Sequence, residues 1–415
     1  MKKIFFFLAA AIVVFAGCKK AGGSDSGGNG GGNNVAPARR TVMPANCIVV
    51  SDTKTYAIDA TIRGNGVLPE GIGEQEKISL NLSSTPEKAA LIWESEAGWI
   101  TSLSYDTANN CVEFSTKGTP GNALIAATTE WNVILWSWHI WNPGTGVEPG
   151  DVNLGATATD YEEPGVMGLL YQWGRKEPFP AGVKREYTGS DTAPFTVTPL
   201  YGPDGNEVSW TLPYRAKYTI ECTLGGAVQN PTMYLNSDVF DMTTSAARGT
   251  GDYLDGADGN DDLWGSKSGK KTMFDPCPDG YRIGKMSDFD VKELNYLFSH
   301  WQSEDDYGDH LWKNGGWEFS ASGVQTIYMP AAGRYDGLTG KYSAIEKVDS
   351  YYMMTGYYWL SDVTAERKSR AVVFDEGRLH KSLTEIDWET FQPFSAFTIP
   401  SPRSEGYSIR CMKEK

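Results

Sequence analysis

A cysteine turn that leads into a short strand and a helix constrains this chain more than any other stretch. In FDPCPDGYRIGKMSDF, residues 274–289, two prolines bracket Cys277 and an Asp-Gly pair closes the turn. Tyr281 and Ile283 then alternate with an arginine and a glycine, which predicts a strand. The segment 287–301 begins with a serine that can cap a helix and carries apolar residues on one side, so we predict a helix there.

The last residues, 405–415, are typical of a closing strand, with Tyr407 and Ile409 on one face and Cys411 near the end. Together with other blocks from about Trp131 onward, they resemble the Fibrobacter succinogenes major paralogous domain and the fimbrillin-family surface lipoproteins of Bacteroidetes. The blocks that carry the resemblance are LWSWHIW (135–141), DVNLGA (151–156), LLYQWGRKEPFP (169–180), CPDGYRIGKMSDF (277–289), YMPAAGR (328–334), GYYWLSD (356–362) and SIRC (408–411).

The resemblance implies a mainly β fold with one main helix (α+β), in which residues 131–415 form a C-type-lectin-like domain with long loop insertions. It also implies a disulfide between Cys277 and Cys411, which would tie the start of the helix to the final strand. Folds of this kind include binding, structural and catalytic proteins, so the resemblance does not by itself assign an activity.

The N-terminus has the pattern of a bacterial lipoprotein signal. Two lysines precede the apolar residues 4–15, a run too short to span a membrane, which takes about 20 residues. The small pair Ala16-Gly17 before a cysteine is similar to a lipobox, so we interpret residues 1–17 as the signal peptide and Cys18 as the lipidated residue. An ordinary cleaved signal with a chance cysteine is the alternative.

Residues 18–41 are dominated by Gly, Ser and Asn and predict a flexible tether, because such a composition cannot bury a core. A lipid at the start of this tether would make the membrane the first partner of the protein. We therefore expect a lipid-anchored outer-membrane protein, and the family resemblance implies display at the cell surface.

Residues 42–130 predict an antiparallel β-sandwich, because short alternating segments are separated by Gly, Asn and Pro. The segment ISLNL, 78–82, is one of the predicted strands, and DTANN, 106–110, is a predicted hairpin turn. The aromatic run at 128–141 predicts a buried strand that joins the two domains, with His139 as a hydrogen-bonded core residue.

Charge and aromatic content narrow the function classes. A net charge of −15 and a pI near 4.8 argue against a nucleic-acid partner and favour a soluble extracellular body. The 14 Trp and 21 Tyr residues leave two roles open, core packing and stacking on sugar rings.

Six cysteines in an exported chain favour disulfides. Besides the pair that the resemblance implies, Cys47 and Cys111 lie at predicted strand edges of the first domain and are candidates for a second bridge. Cys222 is left over, and a buried, reduced thiol is one interpretation of it.

The acidic stretch 251–265 combines carboxylates and amides with glycines, which is a combination that calcium sites use. The candidate calcium ligands are Asp255, Asp258, Asn260 and Asp262. The spacing differs from the EF-hand pattern, and a solvated acidic turn is the alternative.

The resemblance implies ligand sites in the long inserted loop region, which contains Trp264, and Arg334, Tyr335, Asp336 and Trp359 are candidates for lining a shallow groove. On that basis the candidate ligand contacts are Trp264, Arg334, Tyr335, Asp336 and Trp359. We interpret the charged run at 175–177, before a proline, as an ion-paired turn rather than a catalytic group.

Three functions remain open. The resemblance implies a non-catalytic cell-envelope lipoprotein of fimbrillin type, acting in adhesion by binding a surface glycan or a host or pilus protein. The alternatives are an enzyme related to formylglycine-generating enzymes and a structural spacer in a surface complex. Because the sequence shows no Ser-His-Asp order, metal-binding His pair or G-x-S-x-G motif, we predict no enzyme and no cofactor besides the candidate calcium.

Overall fold

The computed structural model describes residues 39–160, 162–182, 197–210, 223–235, 240–241, 246–247, 252, 260–288, 312–313, 315–319, 327–348, 351–364, 368–375 and 398–414. Several predictions fall outside the described residues. They are the signal peptide, most of the tether, Cys18, Cys222, the calcium candidates Asp255 and Asp258, and the predicted helix from residue 289 onward.

Strands dominate the described residues, which confirms the prediction of a mainly β fold. In chain order the strands are β1 (Arg40–Thr41), β2 (Cys47–Val49), β3 (Tyr56–Asp59), β4 (Lys88–Glu94), β5 (Ile100–Asp106), β6 (Cys111–Thr116), β7 (Gly121–Thr128), β8 (Ile134–Asn142), β9 (Leu169–Gln172), β10 (Phe179–Pro180), β11 (Phe240–Asp241), β12 (Ala246–Ala247), β13 (Tyr281–Ile283), β14 (Trp312–Lys313), β15 (Gly316–Phe319), β16 (Ile327–Pro330), β17 (Arg334–Tyr335), β18 (Tyr342–Ser343), β19 (Ile345–Val348), β20 (Tyr351–Val363), β21 (Ser369–Asp375), β22 (Thr398–Ser401), β23 (Gly406–Ser408) and β24 (Cys411–Lys413). The α-helices of the described residues are short, α1 (Glu74–Ser79) and α2 (Leu224–Gln229).

The first four-stranded sheet has the strand order β1-β3-β6-β5. β5 and β6 pair antiparallel on either side of the predicted turn at 106–110. β1 joins β3 in parallel, and Arg39 beside it forms ion pairs with Asp106 at 2.8 Å and Glu113 at 2.5 Å. Among the last residues of the predicted tether, Arg40 and Thr41 are thus paired in this sheet and Arg39 is held beside it by charge.

The second four-stranded sheet has the order β2-β8-β7-β4. β8 is the aromatic strand that the sequence predicts, and it is buried from Leu135 onward. It pairs antiparallel with β7 and parallel with β2, so the predicted domain boundary at residue 130 cuts through this sheet. Within residues 42–130 the pairs β3–β6, β5–β6 and β4–β7 are antiparallel, whereas β1 and β8, which lie outside that range, pair in parallel with β3 and β2.

One hydrophobic core connects these sheets with the rest of the chain. Side chains from both sheets belong to the same cluster of buried residues as the last strands of the chain. Burial of apolar and aromatic side chains is the main stabilising contribution to a fold of this kind. The largest fully buried side chains of the described residues include Trp93, Trp99, Trp136, Trp138, Trp141, Trp173 and Trp359.

A nine-stranded sheet organises the C-terminal part, with the order β10-β9-β23-β20-β21-β22 and with β17, β18 and β19 paired beside it. β23 lies between β9 and β20, antiparallel to the first and parallel to the second. The end of the chain is therefore inserted among strands that precede it by long sequence distances.

A disulfide closes the contact between the cysteine turn and the last strand. β13 pairs antiparallel with β24, and Cys277 is bonded to Cys411, which confirms the implied pairing. Asp275 accepts hydrogen bonds from the backbone N–H groups of Cys277 at 2.8 Å and Ile283 at 3.1 Å. The crosslinked residues are 134 apart in sequence, so the bond removes unfolded-chain entropy worth about 4–5 kcal/mol.

The predicted bridge between Cys47 and Cys111 is wrong. Cys47 is a free, buried thiol in β2 opposite His139, whereas Cys111 begins β6 in the other sheet. Cys111 is itself disulfide-bonded, but not to Cys47. Burial, which outweighs the attraction of the Lys271 ammonium, raises the pKa of the Cys47 thiol, so this group stays protonated.

The predicted strand at 78–82 is also wrong, because this segment completes helix α1 and the turn after it. Glu76 accepts a hydrogen bond from the N–H of Gly73 at 2.6 Å, and acidic residues in the first turn favour a helix start. None of the helices in the described part of the chain is long and apolar enough to cross a membrane.

Candidate functional site

Three of the predicted ligand contacts lie in the core. Trp264 and Trp359 are about as buried as a side chain can be, at 2% and 1% exposure, and Tyr335 is at 6%. The polar atoms of these side chains donate hydrogen bonds to backbone carbonyls. Trp264 Nε1 donates to Phe274 at 3.1 Å, Trp359 Nε1 to Tyr171 at 2.8 Å and the Tyr335 hydroxyl to Pro180 at 2.8 Å. The prediction that they contact a ligand does not hold, since their surfaces are used by packing.

The other two predicted contacts, Arg334 and Asp336, lie at a half-buried rim together with Glu405. Arg334 Nη1 lies 2.8 Å from Glu405 Oε2, and its guanidinium stacks over the ring of Tyr357 at 5.4 Å. Gly406 pairs with Tyr335, so strand pairing between β17 and β23 brings the acid beside the arginine. We call Arg334, Asp336 and Glu405 the rim cluster.

The rim cluster contains a carboxyl group with an unusual proton affinity. Burial raises the pKa of Glu405 to about 7, and the charge of Asp336 adds to this, while Arg334 opposes it. Asp336 itself uses Oδ1 to accept from the N–H groups of Leu338 and Thr339, which fixes the turn that follows β17. Near neutral pH the cluster can therefore donate or accept a proton and can bind a polar ligand through its charges.

A second charged run, Arg175-Lys176-Glu177, is fully buried. Glu177 contacts the ammonium of Lys176 at 2.5 Å and Nε of Arg175 at 3.5 Å, which agrees with the ion-paired turn that we interpret from the sequence. Lys176 also donates to the carbonyl and hydroxyl oxygens of Ser137 at 3.0 and 2.6 Å and lies over the ring of Trp136. This turn, which we call the dry turn, lies between β9 and β10 along the chain and is hydrogen-bonded to β8 through Ser137.

The described part of the acidic stretch has partners within the protein. Asp262 is fully buried, and its carboxylate accepts from the N–H groups of Glu70, Lys267 and Ser268, each at 2.8 Å. The amide of Asn260 donates to the carbonyl of Glu70 at 3.0 Å and accepts from the N–H of Asp262 at 2.7 Å. These contacts give Asn260 and Asp262 a structural role as turn-capping groups.

The neighbouring Asp261 binds the buried guanidinium of Arg403, which also contacts Asp252 at 3.2 Å and stacks over Trp173 at 4.3 Å. Within the described ranges no group of three or more His, Cys, Asp or Glu side chains is placed to hold a metal ion. The calcium site, which also involves Asp255 and Asp258, stays a prediction.

His139 is a core residue. Its Nε2 lies 2.8 Å from Oδ1 of Asn122, and its Nδ1 lies 3.4 Å from the hydroxyl of Tyr171. Burial lowers the pKa of His139 to about 3, so the ring is neutral at physiological pH. The hydrogen-bonded core role that the sequence suggests for this residue agrees with these contacts.

The hairpin between β7 and β8 presents the most exposed aromatic side chain whose burial is described. Trp131 is 82% exposed, and Val133 beside it is 41% exposed. The neighbouring Glu130 and Asn132 are exposed as well, so an apolar pair is surrounded by polar groups. We call residues 129–133 the hairpin tip.

The hairpin tip is held by hydrogen bonds at its base. The N–H of Thr129 donates to the carbonyl of Val133 at 3.0 Å, and the Thr129 hydroxyl accepts from the N–H of Val133 at 3.2 Å. Asn132 takes the left-handed conformation, with φ of 62°, which asparagine tolerates better than most residues. Lys88 of β4 donates to the carbonyl of Glu130 at 2.6 Å and ties the tip to the neighbouring strand.

Sequence reasoning missed Glu405 and Trp131. Glu405 has no local signal, because its burial depends on Arg334, which is 71 residues away. Trp131 does have a local signal. It stands in the polar segment TTEWN before the apolar alternation begins, and such a segment between two strands indicates a turn. The aromatic alternation that follows predicts a strand over the whole block 128–141.

The chain matches none of the protein-family models, curated proteins or solved structures with which it was compared. Its candidate sites are therefore described by their own geometry.

Proposed function

We propose that the protein is a non-catalytic, lipid-anchored envelope protein of fimbrillin type that acts in adhesion by binding a glycan or a protein at the cell surface. The observation that carries the proposal is the hairpin tip, where a hydrogen-bonded turn holds Trp131 in water. Exposing a large aromatic side chain costs free energy that burial would recover, so its presentation favours a contact with a partner.

The export signal and the disulfide support the extracytoplasmic part of the proposal. The N-terminal pattern supports Cys18 as the lipidated residue, and Cys277–Cys411 is a bond of the kind that persists in oxidising compartments. The mainly β body fits a rigid module carried at a distance from the membrane.

The charged groups of the described core are consistent with a binding role. The dry turn and Arg403 use their charges in ion pairs inside the fold. Formylglycine-type enzymes use a pair of metal-binding cysteines, and of the three candidates in residues 131–415, Cys222, Cys277 and Cys411, the last two are bonded to each other and fully buried. The spacer alternative gives no reason for an exposed tryptophan on a fixed turn.

Fractionation and adhesion assays test this function. Cells producing the full chain are compared with cells producing Cys18→Ser, and both are assayed for membrane association, for surface exposure by added protease, and for attachment to glycan-coated and protein-coated surfaces. We expect the wild-type chain to be membrane-bound, exposed and adhesive, and Cys18→Ser to be released. Membrane association unchanged by Cys18→Ser, or attachment unchanged by deleting the protein, would contradict the proposal.

A further inference from the structure

We propose that Trp131 is a carbohydrate-binding platform, on which the indole face stacks against a pyranose ring. This inference rests on the proposed binding function and names the ligand class for the hairpin tip. The apolar C–H groups of one pyranose face carry partial positive charge, and they pack well against the negative face of an aromatic ring.

The size of the apolar surface fits a sugar ring. A tryptophan side chain contributes 150–250 Å² when buried, so at 82% exposure the free surface of Trp131 is roughly 200 Å². A stable protein interface needs about 800 Å² from each partner. Val133 adds the only neighbouring apolar surface among residues 129–133, which leaves the patch far below that requirement and close to one or two sugar units.

Polar residues around the hairpin tip supply hydrogen-bonding groups for sugar hydroxyls. Glu130 and Asn132 flank the ring in sequence, and Glu87 lies beside the tip because its N–H donates to the carbonyl of Thr128 at 2.8 Å. Carboxylates accept hydrogen bonds from hydroxyl groups, and an amide both donates and accepts. A stacked ring surrounded by such groups provides orientation as well as contact area.

The charges around the hairpin tip argue against a membrane surface as its ligand. The exposed carboxylates of Glu130, which adjoins Trp131 in sequence, and of Glu87, whose N–H donates to Thr128, outnumber the nearby cation Lys88. Anionic headgroups attract basic segments and repel acidic ones. The net charge of −15 adds to this repulsion.

The fixed turn makes the contact effective. The hydrogen bonds of Thr129 and the tie from Lys88 hold the backbone on both sides of Trp131. A tryptophan on an ordered backbone loses only the freedom of two side-chain torsions on binding. Preorganisation of this kind increases affinity because less conformational entropy is lost.

The test uses the detergent-solubilised full chain on a glycan array, followed by calorimetric titration with the free oligosaccharides that bind. The variants are Trp131→Ala, Trp131→Phe and the matched control Ile78→Ala, which removes another apolar side chain that is 65% exposed. We expect Trp131→Ala to weaken binding about tenfold or more, Trp131→Phe to weaken it less, and Ile78→Ala to leave it unchanged. Thermal unfolding of all three variants should match the wild type, because neither exposed side chain supports the core.

The outcomes separate this inference from the function on which it rests. Glycan binding that Trp131→Ala leaves intact overturns the platform and keeps the adhesive function. Binding to a protein-coated surface that needs Trp131, without any glycan binding, also overturns it. Quenching of Trp131 fluorescence by brominated phosphatidylcholine vesicles, lost in Trp131→Phe, would assign the tip to the bilayer instead. No binding to any surface by the wild-type chain would overturn the function itself.

Discussion

The dry turn and the rim cluster both place a glutamate beside an arginine, yet their surroundings differ. Glu177 of the dry turn is 1% exposed and meets two cations, which themselves have backbone, hydroxyl and aromatic contacts. Glu405 of the rim cluster meets Arg334 at 2.8 Å, with Asp336 nearby as a second negative charge. The first arrangement satisfies its charges inside the fold, and the second leaves its acid with a pKa of about 7.

The difference shows how burial and pairing together set a proton affinity. In the dry turn two cations contact one buried carboxylate, whereas at the rim cluster burial and the charge of Asp336 raise the pKa of Glu405 against the opposing effects of Arg334 and the Gly337 N–H. The dry turn therefore contributes mainly to the packing of the core. In the rim cluster, the charge of Glu405 can change near physiological pH.

The largest effect is expected from breaking the dry turn. Glu177→Gln keeps the shape of the side chain but leaves Lys176 and Arg175 without their anion in a buried site. The free energy of unfolding should fall by about 3–5 kcal/mol, because an uncompensated buried charge remains. Urea denaturation of the full chain measures this.

The matched control for that variant is Glu96→Gln, which breaks an exposed pair with Lys117. Exposed ion pairs contribute about 0–1 kcal/mol, so the control should stay close to the wild type. Equal losses for the two variants would show that the dry turn is not more important than a surface pair.

A second substitution sharpens this result. In the Glu177→Gln background, Lys176→Met removes the orphaned ammonium and should recover about 1–2 kcal/mol of the lost stability. Burial already lowers the pKa of Lys176, although Glu177 opposes this, so its charge is costly once the anion is gone. The recovery should be incomplete because Lys176 also donates to Ser137. A double variant less stable than the single one would contradict the charge argument.

Particular residues show how far the sequence predicts this molecule. The strands around the turn at 106–110 were predictable because alternation and turn residues are local. The disulfide needed a family resemblance, since nothing local links Cys277 to Cys411. The strand prediction for residues 78–82 is wrong because three alternating apolar residues are too few to distinguish a strand from a helical turn.

The candidate sites were harder to predict because exposure depends on distant packing. Trp359 stands in an aromatic segment and donates to Tyr171 in the core, whereas Trp131 stands in a polar segment and is exposed. The residue type alone does not tell which of the two tryptophans is buried. Glu405 became notable only because the pairing of β17 with β23 buries it beside Arg334.

A smaller, pH-dependent effect is expected from Glu405→Gln. The pKa of Glu405 is about 7 in the folded protein against an ordinary value of 4.5, so between these pH values the folded state binds more protons than the unfolded state. Stability from this group therefore falls as pH rises from about 4.5 to 7 and is constant above that. The stability of the wild type minus that of Glu405→Gln should decrease by about 3 kcal/mol across the window.

Measuring a difference between two proteins removes the contribution of other groups. His139, with its lowered pKa of about 3, changes stability in the opposite direction, since the unfolded state binds its proton first. This contribution is the same in both proteins and cancels. A difference that does not vary with pH would show that Glu405 has an ordinary pKa.

The smallest effect concerns Arg334, the partner that keeps the pKa of Glu405 from rising further. Arg334→Gln should lower stability at pH 5 by less than about 1 kcal/mol, because at that pH Glu405 is protonated in the folded state and the pair is half-buried. Above pH 7 the loss should grow, since the charged form of Glu405 no longer has its cation, and the decline in stability should extend to higher pH. Thermal unfolding of both proteins from pH 5 to 9 measures this, and parallel curves would mean that Arg334 does not control the proton of Glu405.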